Sequence, residues 1–160
     1  MKILAANFVL PITAEPIVDG AVAIEGETIK SIGKRSDISA KFPDVRIEDF
    51  GEAAILPGLV NCHSHLEVTA MRGALDRVEH DFATWLITLT KMRGEILDDV
   101  DLEAAAIAGA IEGARGGVTC FGDIGRFGRV GFNALKVVGL RGVLFQETEF
   151  SADGRTAAEG

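Results

Sequence analysis

Cysteine is scarce in this sequence, which contains only Cys62 and Cys120 and no CxxC pair. Two thiols so far apart exclude a disulfide framework of the kind that holds small secreted proteins together. They also exclude a zinc site built from thiolates, which needs several cysteines at short spacings. We therefore expect a protein of a reducing compartment, the cytoplasm.

Positive charge and long apolar runs are also lacking. The 16 Lys and Arg residues are outnumbered by 24 Asp and Glu, for a net charge of −8, and no basic run relieves that balance. Such a chain repels a phosphate backbone, so we expect no nucleic-acid partner. Glycines and charged residues interrupt every apolar stretch before it reaches membrane-spanning length, so we expect no membrane segment.

The first third of the chain has the pattern of short strands separated by turns. Residues 21–24 and 28–33 are rich in β-forming residues and flank Gly26, which predicts a hairpin. Residues 45–50 alternate apolar with charged side chains, which predicts a further strand. We expect residues 1–54 to form a small all-β unit.

From residue 55 onwards the pattern alternates between strands and helices. An apolar run at residues 54–60 leads to a histidine pair. Predicted helices then cover residues 82–96, 98–115 and 130–138, and further predicted strands cover residues 118–121 and 142–146. This alternation indicates βαβ units with a parallel sheet, of which we count about three strands. An eight-stranded (β/α) barrel needs roughly 250 residues. We therefore expect residues 55–160 to be the first part of a larger fold.

His63 and His65 are two of only three histidines in the chain. In an extended strand, residues two apart project to the same face, so both imidazoles can point at one position. Neutral imidazole is a good ligand for zinc, iron or nickel. Two ligands do not make a site by themselves, so the alternative is a pair of unrelated surface or core histidines.

The residues around the pair resemble the amidohydrolase superfamily, whose pattern is PGLxNxHxH. Here that segment is Pro57-Gly58-Leu59-Val60-Asn61-Cys62-His63-Ser64-His65. Residues 5–33 look like the N-terminal β-sandwich of that family. Arg72-Gly73, Trp85-Leu86 and residues 117–123 look like its branch of cytosine deaminases and triazine chlorohydrolases.

This resemblance implies a metal-dependent hydrolase (β/α)8 TIM barrel, with its first three strands present, preceded by the small β-sandwich. His63 and His65 match the first two metal ligands. The metal is a divalent ion, with zinc favoured over iron or another divalent metal. It lowers the pKa of a bound water, which attacks an electrophilic carbon of the substrate. The remaining ligands and the acid/base Glu are expected beyond Gly160, so the catalytic residue stays unassigned.

Four acidic residues near predicted strand ends are further candidates. Glu67 follows His65 by two residues, so it either binds a substrate amine or orients a ligand, or it is simply an acid at a helix start. Asp123, just after the second barrel strand, either orients an imidazole without touching the metal itself or is a helix N-cap or turn residue. Glu147 and Glu149 follow the third strand, and we expect both in a solvated loop.

The resemblance predicts hydrolytic deamination of an amino-substituted heterocycle, a small-molecule substrate, and leaves homo-oligomerisation open. Nucleoside-deaminating relatives are expected to carry an acid before the Trp that matches Trp85, where this chain has Thr84. We therefore expect closer likeness to cytosine and aminofutalosine deaminases, with Trp85 in the core. Hydrolysis of a cyclic amide or a carbon–chlorine bond is the alternative chemistry. An alternative of another class is a catalytically inactive fragment or interaction module, and we expect the isolated chain to be inactive and prone to aggregate.

Overall fold

The computed structural model describes residues 1–126 and 128–147. The chain divides into two compact units between Pro57 and Gly58. Within the described ranges, no helix is both long enough and apolar enough to cross a membrane.

Residues 1–57 form one five-stranded sheet. Its strands are β1 (Lys2–Val9), β2 (Ile17–Glu25), β3 (Thr28–Lys34), β4 (Ile47–Asp49) and β5 (Ala54–Ile55). The order is β3-β2-β1-β4, and the short β5 also pairs with β1. The predicted hairpin is confirmed, because β2 and β3 are antiparallel and Gly26 between them has a positive φ of 58°. The predicted strand within residues 45–50 is confirmed as the shorter β4.

The expectation of an all-β first unit is wrong, because α1 (Arg35–Lys41) follows β3 directly. Ile38 of this helix is only 3% exposed and packs on Ile3, Ala5, Ala21 and Ala23 of β1 and β2. The small alanine side chains let the helix lie close to the sheet, so a single Ile is enough to anchor two turns. The β-sandwich expected for this unit stays a prediction.

The second unit is built on a parallel sheet. Its strands are β6 (Leu59–Ser64), β7 (Val118–Gly125) and β8 (Arg141–Gln146), in the order β6-β7-β8. Its longer helices are α2 (Phe82–Lys91), α3 (Asp99–Arg115) and α4 (Gly128–Val138). Shorter helical segments are two 3₁₀ turns, Leu66–Met71 and Asp76–Val78, and a π-helical turn, Met92–Ile96. The prediction of a three-stranded parallel sheet with intervening helices is confirmed.

Local chemistry sets the ends of α3. Asp98 accepts hydrogen bonds from the backbone N–H groups of Val100 and Asp101, and Asp101 accepts in return from the N–H of Asp98. This reciprocal capping box satisfies N–H groups that the first turn leaves without partners. At the other end, Gly117 takes a φ of 86°, which stops the helix where the Gly-Gly pair predicted it.

The core of the second unit lies between the sheet and its helices. Leu102, Ala106 and Ala110 recur every four residues on α3 and are fully buried. The apolar stripe predicted for residues 82–96 is less buried than expected. Leu89 is 6% exposed, but Phe82 is 73% exposed. The stripe therefore contributes only part of its length to the core.

Candidate metal and active site

The two histidines lie at the carboxyl end of β6. His63 is the second-last residue of the strand, and His65 is the first residue after it. Their ring centroids are 5.2 Å apart with an angle of 70° between the ring planes. His63 is exposed and His65 is half-buried. Just before them, the Asn61 side-chain oxygen accepts a hydrogen bond from the His63 N–H at 3.2 Å.

The pairing of β6 with β7 is irregular at this point. Asn61 lies opposite Phe121, but Ser64 lies opposite Asp123, so three steps along β6 match two along β7. One extra residue in β6 is a β-bulge, and bulges next to active sites re-aim side chains. The bulge falls on Cys62 and His63, immediately before the end of the strand.

Asp123 accepts hydrogen bonds from the residues on both sides of His65. It lies within β7 and not after the strand, as was expected, because β7 continues to Gly125. Its carboxylate is buried, and Oδ1 accepts hydrogen bonds from the Ser64 hydroxyl at 3.0 Å and from the Leu66 N–H at 2.9 Å. These contacts fix the backbone that carries the second imidazole. The alternative of a helix cap is wrong for this residue, since it belongs to a strand.

Gly131 on α4 makes room for that carboxylate. A Cβ atom at Gly131 would lie 2.2 Å from Asp123 Oδ2, which is closer than real atoms approach. A side chain on α4 at this position would therefore displace Asp123.

Glu67 lies in a helical turn, because the strand does not continue past Ser64. It is in the first turn of the 3₁₀ segment Leu66–Met71. The position fits the alternative of an acid at a helix start, but the carboxylate is not solvated, since Glu67 is 2% exposed. Its Oε1 accepts hydrogen bonds from Arg93 Nη1 at 3.0 Å and from the Arg126 N–H at 3.1 Å.

Arg93 is the residue that the sequence analysis missed. It is 8% exposed in the π-helical turn after α2. Besides Glu67, it pairs with Glu147, with Nη2 and Oε2 2.8 Å apart. Glu147 lies in a loop after β8 as expected, with its side chain 37% exposed, but its carboxylate also pairs with Arg93, which the expectation did not include. Glu149 lies outside the described residues. The sequence did contain a signal that Arg93 is buried. It follows Leu89 by four residues, so it lies on the same helical face as the predicted apolar stripe.

A cavity of about 570 Å³ opens beside His65. Its walls are mostly apolar, with a few polar groups, as is usual for small-molecule sites. The lining residues that matter for the chemistry are His65, Trp85, Leu86, Leu89, Arg93 and Glu147. Trp85 packs against the core and also lines the cavity, so the expectation of a core residue describes only part of its surroundings.

Thr84, the residue before Trp85, has a local role. Its hydroxyl donates to the carboxylate of Asp81, which caps the first turn of α2. This hydrogen bond holds the pKa of Asp81 below its usual value of 3.8. The position before Trp85 therefore supports the start of the helix.

The donor set suits a divalent cation of the zinc type. Two imidazoles lie close together at the end of one strand, and imidazole is a preferred zinc ligand. Within residues 1–126 and 128–147, no group of three or more His, Cys, Asp or Glu side chains is arranged to hold a metal. The pair therefore fits as part of a metal site.

Comparison with known proteins gives consistent relatives. No protein-family model matches the chain. It is 32% identical over 126 residues to a 5-methylthioadenosine/S-adenosylhomocysteine deaminase of Nitratidesulfovibrio vulgaris, a match that covers 78% of this chain and 28% of the relative. The chain thus spans less than a third of the length of that relative.

Two solved structures share the fold. Aminofutalosine deaminase of Helicobacter pylori, solved with methylthio-coformycin, has a TM-score of 0.77 and 25% identity, over 95% of this chain and 37% of that one. A mutant atrazine chlorohydrolase of Arthrobacter aurescens, solved with zinc and atraton, has the same TM-score and identity, over 96% of this chain and 38% of that one.

These matches bear on the expectations drawn from Thr84. The chain is similar to an aminofutalosine deaminase, but the expectation that this likeness is closer than the likeness to nucleoside deaminases is wrong, because the identity is 25% to the former and 32% to the Nitratidesulfovibrio relative. The Nitratidesulfovibrio relative is a nucleoside deaminase by name, so the Thr84 signal does not separate this chain from such enzymes. The histidine pair lies at a strand end, and the relatives are deaminases and a triazine chlorohydrolase. The chain therefore belongs to the amidohydrolase superfamily, in the branch of deaminases and triazine chlorohydrolases.

Proposed function

We propose that this chain is part of a metal-dependent hydrolase that removes the amino group from an amino-substituted heterocycle. The observation that carries the proposal is the position of His63 and His65, with rings 5.2 Å apart at the end of β6. Beside His65 lies a largely apolar cavity of about 570 Å³, large enough for a small-molecule substrate. The names of the relatives add the reaction class, since two of the three are deaminases.

In this proposal His63 and His65 hold a divalent cation, with zinc as the first choice. When bound, the cation supplies activation of a water molecule for attack on the carbon that bears the amine. Asp123 positions His65 through the backbone on either side of it. The further ligands and the acid/base Glu would lie after Gly160, as the family resemblance implies.

The proposed architecture is a (β/α)8 barrel of which β6, β7 and β8 are the first three strands, with residues 1–54 as part of an N-terminal β-sandwich. Exposed apolar side chains on the two outer strands support the barrel. Leu59 and Val60 on β6, and Val143 and Phe145 on β8, are about half exposed or more. Further strands would cover such side chains in a closed barrel.

Hydrolysis of a carbon–chlorine bond is the second candidate reaction. The similarity to atrazine chlorohydrolase favours it, at the same TM-score as the similarity to aminofutalosine deaminase. The same residues would hold the cation in both reactions, so the histidine pair does not decide between them. The substrate does: one reaction releases ammonia and the other releases chloride.

Zinc binding and product release by the full-length protein test these proposals. We expect His63→Ala and His65→Ala each to lower zinc content and abolish turnover, because each removes a ligand. His80→Ala is the matched control, since His80 is exposed in a loop, and it should keep both. Release of ammonia from 5-methylthioadenosine would support the deaminase, and release of chloride from atrazine would support the alternative. Full zinc content in both single variants would refute the metal site.

A further inference from the structure

The polar contacts around Arg93 connect the carboxyl ends of all three parallel strands. Glu67 follows β6, and its Oε1 lies 3.0 Å from Arg93 Nη1. The same oxygen accepts from the Arg126 N–H, just after β7, at 3.1 Å. Glu147 follows β8, and its Oε2 lies 2.8 Å from Arg93 Nη2. The Arg93 guanidinium therefore links the segments after β6 and β8, and Glu67 links the segment after β7 to the same cluster.

The local backbone is shaped to bring Arg93 to this position. Met92–Ile96 forms a π-helical turn, in which the Leu97 N–H reaches back to the Met92 carbonyl at 3.0 Å. Isolated π-helical turns are rare and occur often at functional sites. Gly94 in this turn lies against Arg126, since a Cβ there would be 3.0 Å from Arg126 Nη1. The turn and the segment after β7 thus pack closely around Glu67.

The contact between Arg93 and Glu67 is buried, and its geometry is fixed by the guanidinium. The side chains of Arg93 and Glu67 are 9% and 2% exposed, so little water competes for the Glu67 carboxylate. Guanidinium presents its N–H groups in a fixed planar fork, which sets the direction of the Glu67 carboxylate that accepts a hydrogen bond from it. Lysine has no such fork, because its ammonium is a single point charge on a flexible stem.

We propose that Arg93 is a positioning residue of the metal and substrate site. It anchors Glu67, two residues after His65, and so fixes the direction in which that imidazole points. It also holds Glu147 against the wall of the cavity that His65, Arg93 and Glu147 line together. The part of this inference that concerns metal binding rests on the proposed function. The part that concerns the order of residues 64–68 does not.

The test uses hydrogen exchange and zinc competition on the full-length protein with Arg93→Met and Arg93→Lys. In metal-free protein we expect the amides of residues 64–68 to exchange at least tenfold faster in both variants, while the amides of Ala106 and Ala110 in α3 keep their protection. Zinc affinity, measured against a chromophoric chelator, should fall about 10- to 100-fold, as with other outer-shell partners of metal ligands.

Arg35→Met is the matched control. Arg35 also binds two carboxylates, Asp19 and Asp49, but it belongs to the first unit. This variant should leave exchange at residues 64–68 and zinc affinity within twofold of the wild-type values.

A second variant covers the case in which Arg93→Met does not fold. Glu67→Gln with Arg93→Met removes both charges of the buried pair, so the only carboxylate left without Arg93 is that of Glu147, whose side chain is 37% exposed. If Arg93 only stabilises the fold, this double variant recovers wild-type zinc affinity and slow exchange at residues 64–68. If Arg93 positions the site, the fold recovers and both readouts stay impaired.

Two outcomes separate this inference from the proposed function. Unchanged exchange at residues 64–68 in a folded Arg93 variant would overturn the positioning role, whatever the metal does. Full zinc content in both His63→Ala and His65→Ala would overturn the metal site, while faster exchange in the Arg93 variants would still support positioning of this segment.

Discussion

Two arginines in this chain form similar ion pairs, one with exposed carboxylates and one with a buried carboxylate. Arg35 in the first unit and Arg93 in the second each bind two carboxylates. Around Arg35 the partners Asp19 and Asp49 are 66% and 47% exposed, whereas the Glu67 partner of Arg93 is 2% exposed. Exposed ion pairs contribute little to stability, because water competes for both charges.

Burying charges costs free energy that their attraction does not always offset. The second unit nevertheless buries Glu67, Arg93 and Asp123, all near the histidine pair. Buried charge, and not the number of ion pairs, therefore distinguishes the candidate site from ordinary protein surface. Substitutions in matched pairs, one in each unit, can test that contrast.

The largest effect is expected at the two aspartates. Asp123→Ala leaves the Ser64 hydroxyl and the Leu66 N–H without their acceptor in a buried setting, which costs about 2–4 kcal/mol. Asp49→Ala, at an exposed carboxylate, should be much milder. Unfolding in urea measures both. Equal losses of unfolding free energy would break the contrast between the two units.

A smaller effect is expected at two glycines. Gly131→Ala places a Cβ 2.2 Å from Asp123 Oδ2, so the carboxylate or α4 must move, at a cost of about 1–3 kcal/mol. Gly33→Ala in β3 is the control, since its Cβ would meet Ile38 at an ordinary 3.7 Å. Thermal unfolding should therefore separate the two variants clearly. A wild-type midpoint for Gly131→Ala would mean that Asp123 is not held as tightly as the structure indicates.

The smallest effect is expected from acid titration of the exposed cluster. The hydrogen bond from Arg35 holds the pKa of Asp49 below its usual 3.8. A carboxyl with a lowered pKa in the folded state contributes stability above its unfolded pKa and loses it as pH falls through the folded value. The small difference in thermal midpoint between wild type and Arg35→Met should thus be constant from pH 7 to pH 5 and shrink below about pH 3.8. A difference that changes between pH 7 and pH 5 would point to other groups.

Much of the fold was predictable because its signals are local. The ends of α3 follow from Asp98 and the Gly116-Gly117 pair, and the β2–β3 hairpin follows from Gly26 between two β-rich runs. The histidine pair was also recognisable, because its spacing and its neighbours lie within one short segment.

The missed features depend on partners distant in sequence. Arg93 looks like a surface residue until Glu67 and Glu147 are brought to it from the ends of two strands. Likewise, Asp123 was expected after its strand, because Gly122 suggested an end that pairing with β8 overrides. The helix α1 has a weak local signal and forms on a sheet that offers Ile38 a surface to bury.

Because β6 contains an extra residue, a deletion of Cys62 and a substitution of Cys62 should affect the histidines differently. Deleting Cys62 would remove the extra residue between Asn61 and Ser64 and move the histidines by one position relative to the preceding strand, which turns their side chains to the other face. Substitution of Cys62, whose side chain is exposed, would leave the backbone count unchanged. The direction of the histidine side chains therefore depends more on the number of residues between Asn61 and Ser64 than on the identity of Cys62.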